Sequence, residues 1–480
     1  MKTIFEKSVP GREGCWPCEG MAEEAYIPKD LLRDGDIGLP SASELDVVRH
    51  FTRLSQRNYG VDGNFYPLGS CTMKYNPKFT EVAAALPGFT RLHPVLPQLQ
   101  GAGGLCQGAL EVMYETERLL CEITGMHAYT LHPMAGAHGE LTGVMLMAAY
   151  HKDKGNRKTK VIVPDSAHGT NPASAAIAGY DVVSVASVDG IVDPAALAEV
   201  LDDEVAGMMM TCPNTLGLFE KNLPEIVRML RKVDALLYYD GANLNAIMGK
   251  MRVGDVGFDI VHLNLHKTFA TPHGGGGPGS GPVGVSEKVV PYLPVSRVEK
   301  QEDGRFRLNY NHPKSIGYVA PFYGNFGVVL KAYAYILRLG RTGLIRATEN
   351  AVLSANYIRK RLANHFEVPY DRICMHEFVA TAAPQAAKGV HALDIAKALL
   401  DKGYHAPTVY FPLIVPEAIM IEPTETENKA TLDEFIDALI EIAERVDTDP
   451  TSITSAPVTL PVTRLDETRA ARAMELTDDL

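Results

Sequence analysis

The stretch ALLYYDGANLNAIMGKMRVGDVGFDIVHLNLHKT, residues 235–268, holds two short apolar runs, each ending at a side chain able to do chemistry. The first run, Ala235 to Tyr239, ends at Asp240 and the turn Gly241-Ala242-Asn243. The second, Phe258 to Leu265, leads to Lys267, 27 residues after Asp240. That interval accommodates one crossover and a return strand. A carboxylate and an amine would then meet at the C-terminal edge of neighbouring parallel strands, where ligands bind in open α/β sheets.

Outward from this pair the pattern repeats. Val161–Val163, Val182–Val185 and Met208–Met210 are β-rich runs separated by helical segments, which predicts a largely parallel sheet covered on both faces. Leu141, Val144, Met145 and Ala148 recur at helical spacing directly after the small-residue turn Ala135-Gly136-Ala137, so a helix begins there. After residue 320, helical patterns around 328–336, 351–364, 391–402 and 431–445 enclose a strand-like run at Met420-Ile421. We expect an N-terminal arm over residues 1–80, rich in Pro, Gly and charge, and a large domain over 81–325. A small α/β domain over 326–450 and a tail over 451–480 that wraps a partner or is partly disordered complete the chain.

Composition bounds the function. The 480 residues are 46% hydrophobic with a formal net charge of -12, which supports a large core and opposes a general attraction to nucleic acid or anionic membrane. The first residues lack a secretory apolar core, and no run of about 20 apolar residues offers a membrane span, so a cytoplasmic location is expected. Seven scattered cysteines fit reduced thiols. Cys15-Trp-Pro-Cys18 has no second pair to complete a zinc site and no βαβ pattern beside it; no metal is expected. Asp202-Asp203 and Asp478-Asp479 read as solvated charge, and Ser166 near His168 lacks a hydrolase elbow.

The Asp240/Lys267 pair suits pyridoxal 5′-phosphate. That cofactor withdraws electrons while its ring nitrogen is protonated, a state a buried carboxylate stabilises, and it is carried as a Schiff base on a lysine that afterwards serves as acid or base. A single strand-end Asp or Lys is usually a cap or a surface charge, so context carries the reading. Ala135-Gly136-Ala137 at a helix N-terminus suits a phosphate. His168 follows the Val161–Val163 run and offers a flat ring to stack on the cofactor. Asn214, in Thr211-Cys-Pro-Asn-Thr215, lies at another strand end. The tract Gly274 to Gly281 contains a formal G-x-G-x-x-G, but it leads into the strand-like Val283–Val285 and lacks the immediate helix a dinucleotide site needs.

Several stretches resemble the glycine cleavage system P-protein family: Phe65-Tyr-Pro-Leu-Gly-Ser-Cys-Thr-Met-Lys-Tyr-Asn-Pro77, Asp165–Ser174, Asp240–Asn243, and His262–Thr268 followed by Pro272–Gly279. The likeness covers roughly residues 60 to 450, and the length resembles subunit 2 of the two-subunit form. Met134 departs from the smaller residue expected in the phosphate turn. The resemblance implies a fold-type I pyridoxal-phosphate enzyme, α/β in class, with an αβα large domain, a smaller C-terminal α/β domain and an N-terminal arm. It implies that Lys267 carries the cofactor, Asp240 partners its ring nitrogen and His168 stacks on it. Ala135, Gly136 and Ala137 would hold the phosphate, with Thr268 and the glycine tract nearby, and His266 would assist proton handling. It further implies decarboxylation of glycine with transfer of the aminomethyl group to the lipoyl arm of the H-protein, in an α₂β₂ heterotetramer with subunit 1. Another pyridoxal-phosphate enzyme of this fold, such as a different decarboxylase or a cysteine desulfurase, would share Asp240 and Lys267 without needing the Phe65–Pro77 segment. A cofactor-free scaffolding subunit would have no use for Asp240, His168 and Lys267 together.

Overall fold

The computed structural model describes residues 2–12, 14, 28–35, 37–99 and 102–474. Cys15, Cys18 and the Asp478-Asp479 pair lie outside them. The chain divides into two compact units, residues 1–60 and 61–480. The first contains a helix, Glu44–Ser55, opened by a capping box in which Ser43 and Asp46 each bond the other's backbone N–H, so two otherwise orphaned donors are satisfied.

The second unit is built on a seven-stranded sheet. Its strands are β1 (Ala128–Thr130), β2 (Lys160–Pro164), β3 (Asp181–Val185), β4 (Val205–Met210), β5 (Leu236–Gly241), β6 (Ile260–Leu263) and β7 (Val283–Val285). The spatial order is β1-β7-β6-β5-β4-β2-β3. From β3 to β6 all neighbours run parallel, and β7 is antiparallel to both β6 and β1. Strands β4, β5 and β6 are buried at every residue, as runs covered on both faces must be. Separate apolar clusters fill the two faces of this sheet.

The helix Gly136–Asp153 forms, and its buried face takes in Val144 of the Leu141, Val144, Met145, Ala148 stripe but not Met145. Met145 is 37% exposed, while Leu146 and Met147 are fully buried. The reason is glycine: a Cβ at Gly143 would meet the Tyr238 ring at 2.3 Å, and one at Gly139 the Gly281 carbonyl at 2.7 Å. The helix lies on the sheet along its smallest residues, a contact that hydrophobic periodicity does not register.

A second, three-stranded antiparallel sheet is formed by β8 (Phe378–Thr381), β9 (Thr408–Val409) and β10 (Ala418–Ile421), in the order β8-β10-β9. The helices Phe326–Leu362, Ala392–Asp401 and Lys429–Thr448 accompany it, the first interrupted at Gly340, whose φ is 57°. Residues 451–464 attach to this chain's own helix. Val458 and Thr459 donate to Asp401, and Arg464 pairs with Asp394 at 2.7 Å.

The segment Phe65–Pro77 is threaded through the second unit. The Phe65 ring packs edge-on against Phe435 at 4.9 Å, and Leu68 bridges to Ile421. Gly69 is held so close to β10 that a Cβ there would lie 2.2 Å from Met420 Cγ.

Candidate active site

Register alone assembles the centre of the site. Strands β5 and β6 pair so that Asp240 stands beside His262, and the chain leaving β6 turns at once to Lys267. Both Asp240 and Lys267 open on one cleft of about 200 Å³. Gly136 and Ala137 form one end of that cleft, at a helix N-terminus where the first N–H groups have no intrahelical acceptor. His168 and Thr170 line another part of it, and His376 and Glu377 line it from the stretch that enters β8.

Lys267 Nζ donates to the Ser70 carbonyl at 2.7 Å, so the Phe65–Pro77 segment supplies the resting partner of the amine. Ser70 and Thr72 have φ of 65° and 50°, and their left-handed turn aims carbonyl and N–H groups into the site.

Asp240 is 4% exposed and accepts from the Ala242 N–H at 3.1 Å. Burial alone would raise its pKa; His262, the Lys267 ammonium and that N–H outweigh burial and hold it below the ordinary value. His262 is fully buried, with Nδ1 2.7 Å from the Tyr238 hydroxyl. With Tyr238 donating to Nδ1, the ring N–H lies on Nε2, facing Asp240 at 3.4 Å and Glu140 at 3.9 Å. Burial pushes His262 down to about 4, so the ring is neutral at physiological pH. Glu140 behaves oppositely to Asp240: burial and the Asp240 charge push it up to about 8, against the Thr170 hydroxyl that donates to it at 2.9 Å.

The remaining expected residues divide into two groups. His168 lies at the mouth, 2.8 Å from Thr170 Oγ1 and edge-to-face with Phe411 at 5.6 Å. It is exposed and lines the cleft. Ala135, His266, Asn214, Thr268 and the glycine tract are not on the cleft wall. His266 Nδ1 accepts from the Ser280 N–H at 3.4 Å, and burial, with His273 and Lys267 nearby, lowers it to about 3; it is neutral and props the loop behind the lysine. Asn214 Oδ1 takes the N–H groups of Leu216 and Leu218, while Pro213 and Thr215 beside it face the cleft. Thr268 Oγ1 accepts the Leu244 N–H at 2.7 Å, latching the turn after Asp240.

Sequence reasoning missed Glu140, His262, Ser70, Asn264, His376 and Glu377. Two carried a signal: His262 interrupts an apolar strand, and Glu140 falls one turn into the helix that starts at Gly136. Ser70 lies inside the Phe65–Pro77 stretch that resembles the family, with no role of its own legible there, and the His376-Glu377 pair arrives from a distant stretch and carried none.

Residues 23–308 match the family described as Glycine cleavage system P-protein, and residues 347–457 match Glycine dehydrogenase, C-terminal domain. The chain is 58% identical over 475 residues to the probable glycine dehydrogenase (decarboxylating) subunit 2 of Caldanaerobacter subterraneus, covering 98% of this chain and 97% of the relative. A Bacillus velezensis protein of the same description is 55% identical, with 98% and 96% covered. Among solved structures, an inhibitor-bound glycine decarboxylase (P-protein) superposes with a TM-score of 0.71 at 20% identity, over 87% of this chain and 93% of that one. A Lactobacillus brevis glutamate decarboxylase follows at 0.65 and 15%, over 89% and 97%. The structural likenesses establish the fold, the fold-type I architecture expected from the sequence. The sequence matches, which run nearly end to end, establish that the chain belongs to the glycine cleavage system P-protein family, among the relatives described as subunit 2.

Proposed function

We propose that this chain holds pyridoxal 5′-phosphate on Lys267 and decarboxylates glycine, passing the aminomethyl group to the lipoyl disulfide of an H-protein, in an α₂β₂ assembly with a subunit 1. Membership of the P-protein family makes glycine decarboxylation the chain's reaction class; the cofactor, the acceptor and the assembly are our reading. One observation carries it: Asp240 and Lys267 open on the same cleft as the small-residue N-terminus of a long helix.

The side chains fit that cofactor. Asn264 Oδ1, Glu140 Oε2 and Thr211 Oγ1 are buried polar atoms with no hydrogen-bond partner among the described residues, and all three residues line the cleft. A Cβ on Gly136 would strike Asn264 at 2.5 Å, so glycine keeps the helix end open to close approach. When bound, the cofactor supplies the electron sink for the bond broken at the substrate carbon.

The chain supplies the rest. Asp240, kept ionised, would hold a proton on the ring nitrogen, and neutral His262, 3.4 Å from its carboxylate, leaves that charge uncancelled. Gly136 and Ala137 bind the phosphate with backbone N–H groups and the positive end of the helix dipole. His168 covers the ring from the mouth. Lys267 would carry the cofactor, and its Nζ, which donates to the Ser70 carbonyl at 2.7 Å, would be placed to take or give a proton at the substrate carbon. A cleft this small discourages water from quenching the carbon that has lost carbon dioxide.

The test is borohydride reduction of the chain co-produced with subunit 1, followed by peptide mass mapping. A pyridoxyl group confined to Lys267 is expected. A folded, cofactor-supplied complex without it would exclude this reading.

A further inference from the structure

Glu377 and Glu422 stand side by side because β8 and β10 pair antiparallel with Phe378 opposite Ile421, which leaves the two glutamates facing each other one residue beyond the last register pair. They are 3% and 0% exposed. Like charges opposite one another on a strand pair are unfavourable even at a surface, and burial magnifies the cost. The two residues meet different partners. Glu422 accepts from the Thr72 N–H at 2.9 Å, the Thr72 hydroxyl at 2.8 Å and Asn243 Nδ2 at 2.7 Å, a donor set that suits a carboxylate. Glu377 accepts from the Ser70 N–H at 2.7 Å through Oε2, while its Oε1 has His376 Nε2 no nearer than 3.8 Å. Glu377 faces the cleft that Lys267 enters, and Ser70 links the two, with its carbonyl on Lys267 and its N–H on Glu377.

We propose that Glu377 is a further catalytic residue, a carboxylic acid that stays protonated beside Glu422 and gives its proton to the sulfur released when an acceptor disulfide is opened in the cleft. The inference rests on the aminomethyl-transfer reading above. Two carboxyls in one dry site cannot both ionise. Burial and the Glu422 charge push Glu377 well above the ordinary glutamate value, against the Ser70 N–H and the Lys267 ammonium. The other titratable groups facing it do not supply a compensating charge. Burial keeps His376 neutral, and burial raises the Cys71 thiol despite Lys267.

The step balances. The carbon that has lost carbon dioxide brings its electron pair to one sulfur; the C–S bond forms, the S–S bond breaks and the disulfide is reduced. The leaving sulfur takes the Glu377 proton, and the ammonium of the transferred group or solvent restores it. An alkyl thiolate leaves faster when protonated as it departs, because departure is governed by thiol basicity. His376, Glu377 and Glu422 also bring three ligand atoms within 4.8 Å, a spacing that could hold a metal ion. A cation there would compete with the three donors already on Glu422.

Infrared difference spectroscopy on the assembled complex tests where the proton resides. A carboxylic-acid carbonyl band, sensitive to deuterium exchange, should persist at neutral pH and be missing from Glu377→Gln. In the same variant, kcat for transfer to a lipoyl disulfide should fall about 10²- to 10⁴-fold, with the glycine KM and the Lys267 borohydride label little changed. Glu377→Asp, which keeps the acid, should recover part of the rate. The wild-type decline of kcat at high pH should be absent from Glu377→Gln. If that variant does not assemble, the aspartate variant decides, through the band that shifts with it and the rate it recovers; the Glu140 carboxyl gives a second band that does not shift. Absence of the band, a carboxylate-only spectrum with a divalent cation retained in the chain, or full transfer by Glu377→Gln overturns the proposal. A wild-type complex that shows the band yet transfers nothing to a lipoyl disulfide overturns the transfer reading, and the proton-delivery step with it.

Discussion

The two walls of the cleft hold the same kind of side chain in opposite states. On the sheet wall, Asp240 has Lys267, the His262 ring and the Ala242 N–H aimed at it, and it stays ionised although buried. On the wall built from β8, β10 and the Phe65–Pro77 segment, Glu377 has a second carboxyl opposite it and is driven toward its neutral form. Depth is similar, since both residues are less than 5% exposed. What differs is the dominant charge beside each, the Lys267 ammonium for Asp240 and the Glu422 carboxylate for Glu377, and that difference equips one wall to hold a cation in place and the other to release a proton.

Removing the charge from the sheet wall should have the largest effect. Asp240→Asn keeps the shape and loses the anion, so kcat for glycine decarboxylation should drop on the order of 10³-fold, a barrier increase of about 4 kcal/mol. The same change should lower the Glu140 pKa from its present value of about 8, because part of that rise comes from the Asp240 charge. Infrared titration of Glu140 in the variant checks it; an unchanged Glu140 would mean that burial alone sets its value and that the two carboxyls of this wall do not interact.

Glu140 itself gives the next largest effect, read as stability. Its carboxyl is raised from 4.5 to about 8 on folding, so across that window the native chain binds more protons than the unfolded one, and stability falls as pH rises. Between pH about 6 and 9 the loss should be on the order of 3 kcal/mol. Glu140→Gln cannot ionise, and its Tm should lose that part of the decline with pH. A variant whose Tm tracks the wild type between pH about 6 and 9 would show that Glu140 is already ionised in the native state.

The sheet wall was legible in the sequence and the opposite wall was not, for a physical reason. Asp240 and Lys267 each follow an apolar run, so strand periodicity places them at one edge. His168, Gly136 and Ala137 also sit at element ends and also reach the cleft. Asn214 and Thr268 satisfied the same rule, yet their oxygens accept nearby backbone N–H groups; position at a strand end does not reveal which way a short polar side chain turns. Glu377 and Glu422 become neighbours only through the register of β8 on β10, and Ser70 reaches Lys267 across 197 residues of chain. Such proximity is set by tertiary packing, which no local pattern encodes. The Gly136–Asp153 helix teaches the same lesson: its existence followed from spacing, while its buried face followed from glycines meeting Tyr238 and Gly281.

The segment that carries Ser70 can be strained without altering an ionisable group of either wall. Gly69→Ala would place a Cβ 2.2 Å from Met420 Cγ and 2.8 Å from the Met420 carbonyl. The side chain can yield but the carbonyl cannot, so a destabilisation of about 2–3 kcal/mol is expected, read as a fall in Tm. Because Ser70 follows directly, the displacement should also weaken its carbonyl contact with Lys267 and its N–H contact with Glu377. Both the acid band and the rate should then change together. A drop in Tm with both unaltered would separate the two walls, making Ser70 a bystander.

The smallest effect comes from Thr268, and it sharpens the description of the sheet wall. Its hydroxyl oxygen accepts the Leu244 N–H at 2.7 Å in a fully buried position, so Thr268→Val leaves that donor unpaired at a cost of about 1–2 kcal/mol. Thr268→Ser keeps the oxygen and should cost less. If the hydroxyl serves only the turn after Asp240, both variants should bind pyridoxal phosphate as the wild type does, and only the valine variant should lose stability. A fall in cofactor affinity of tenfold or more in Thr268→Val, reversed in Thr268→Ser, would instead put that hydroxyl on the phosphate. The sheet wall would then extend past Lys267 to hold both ends of the cofactor.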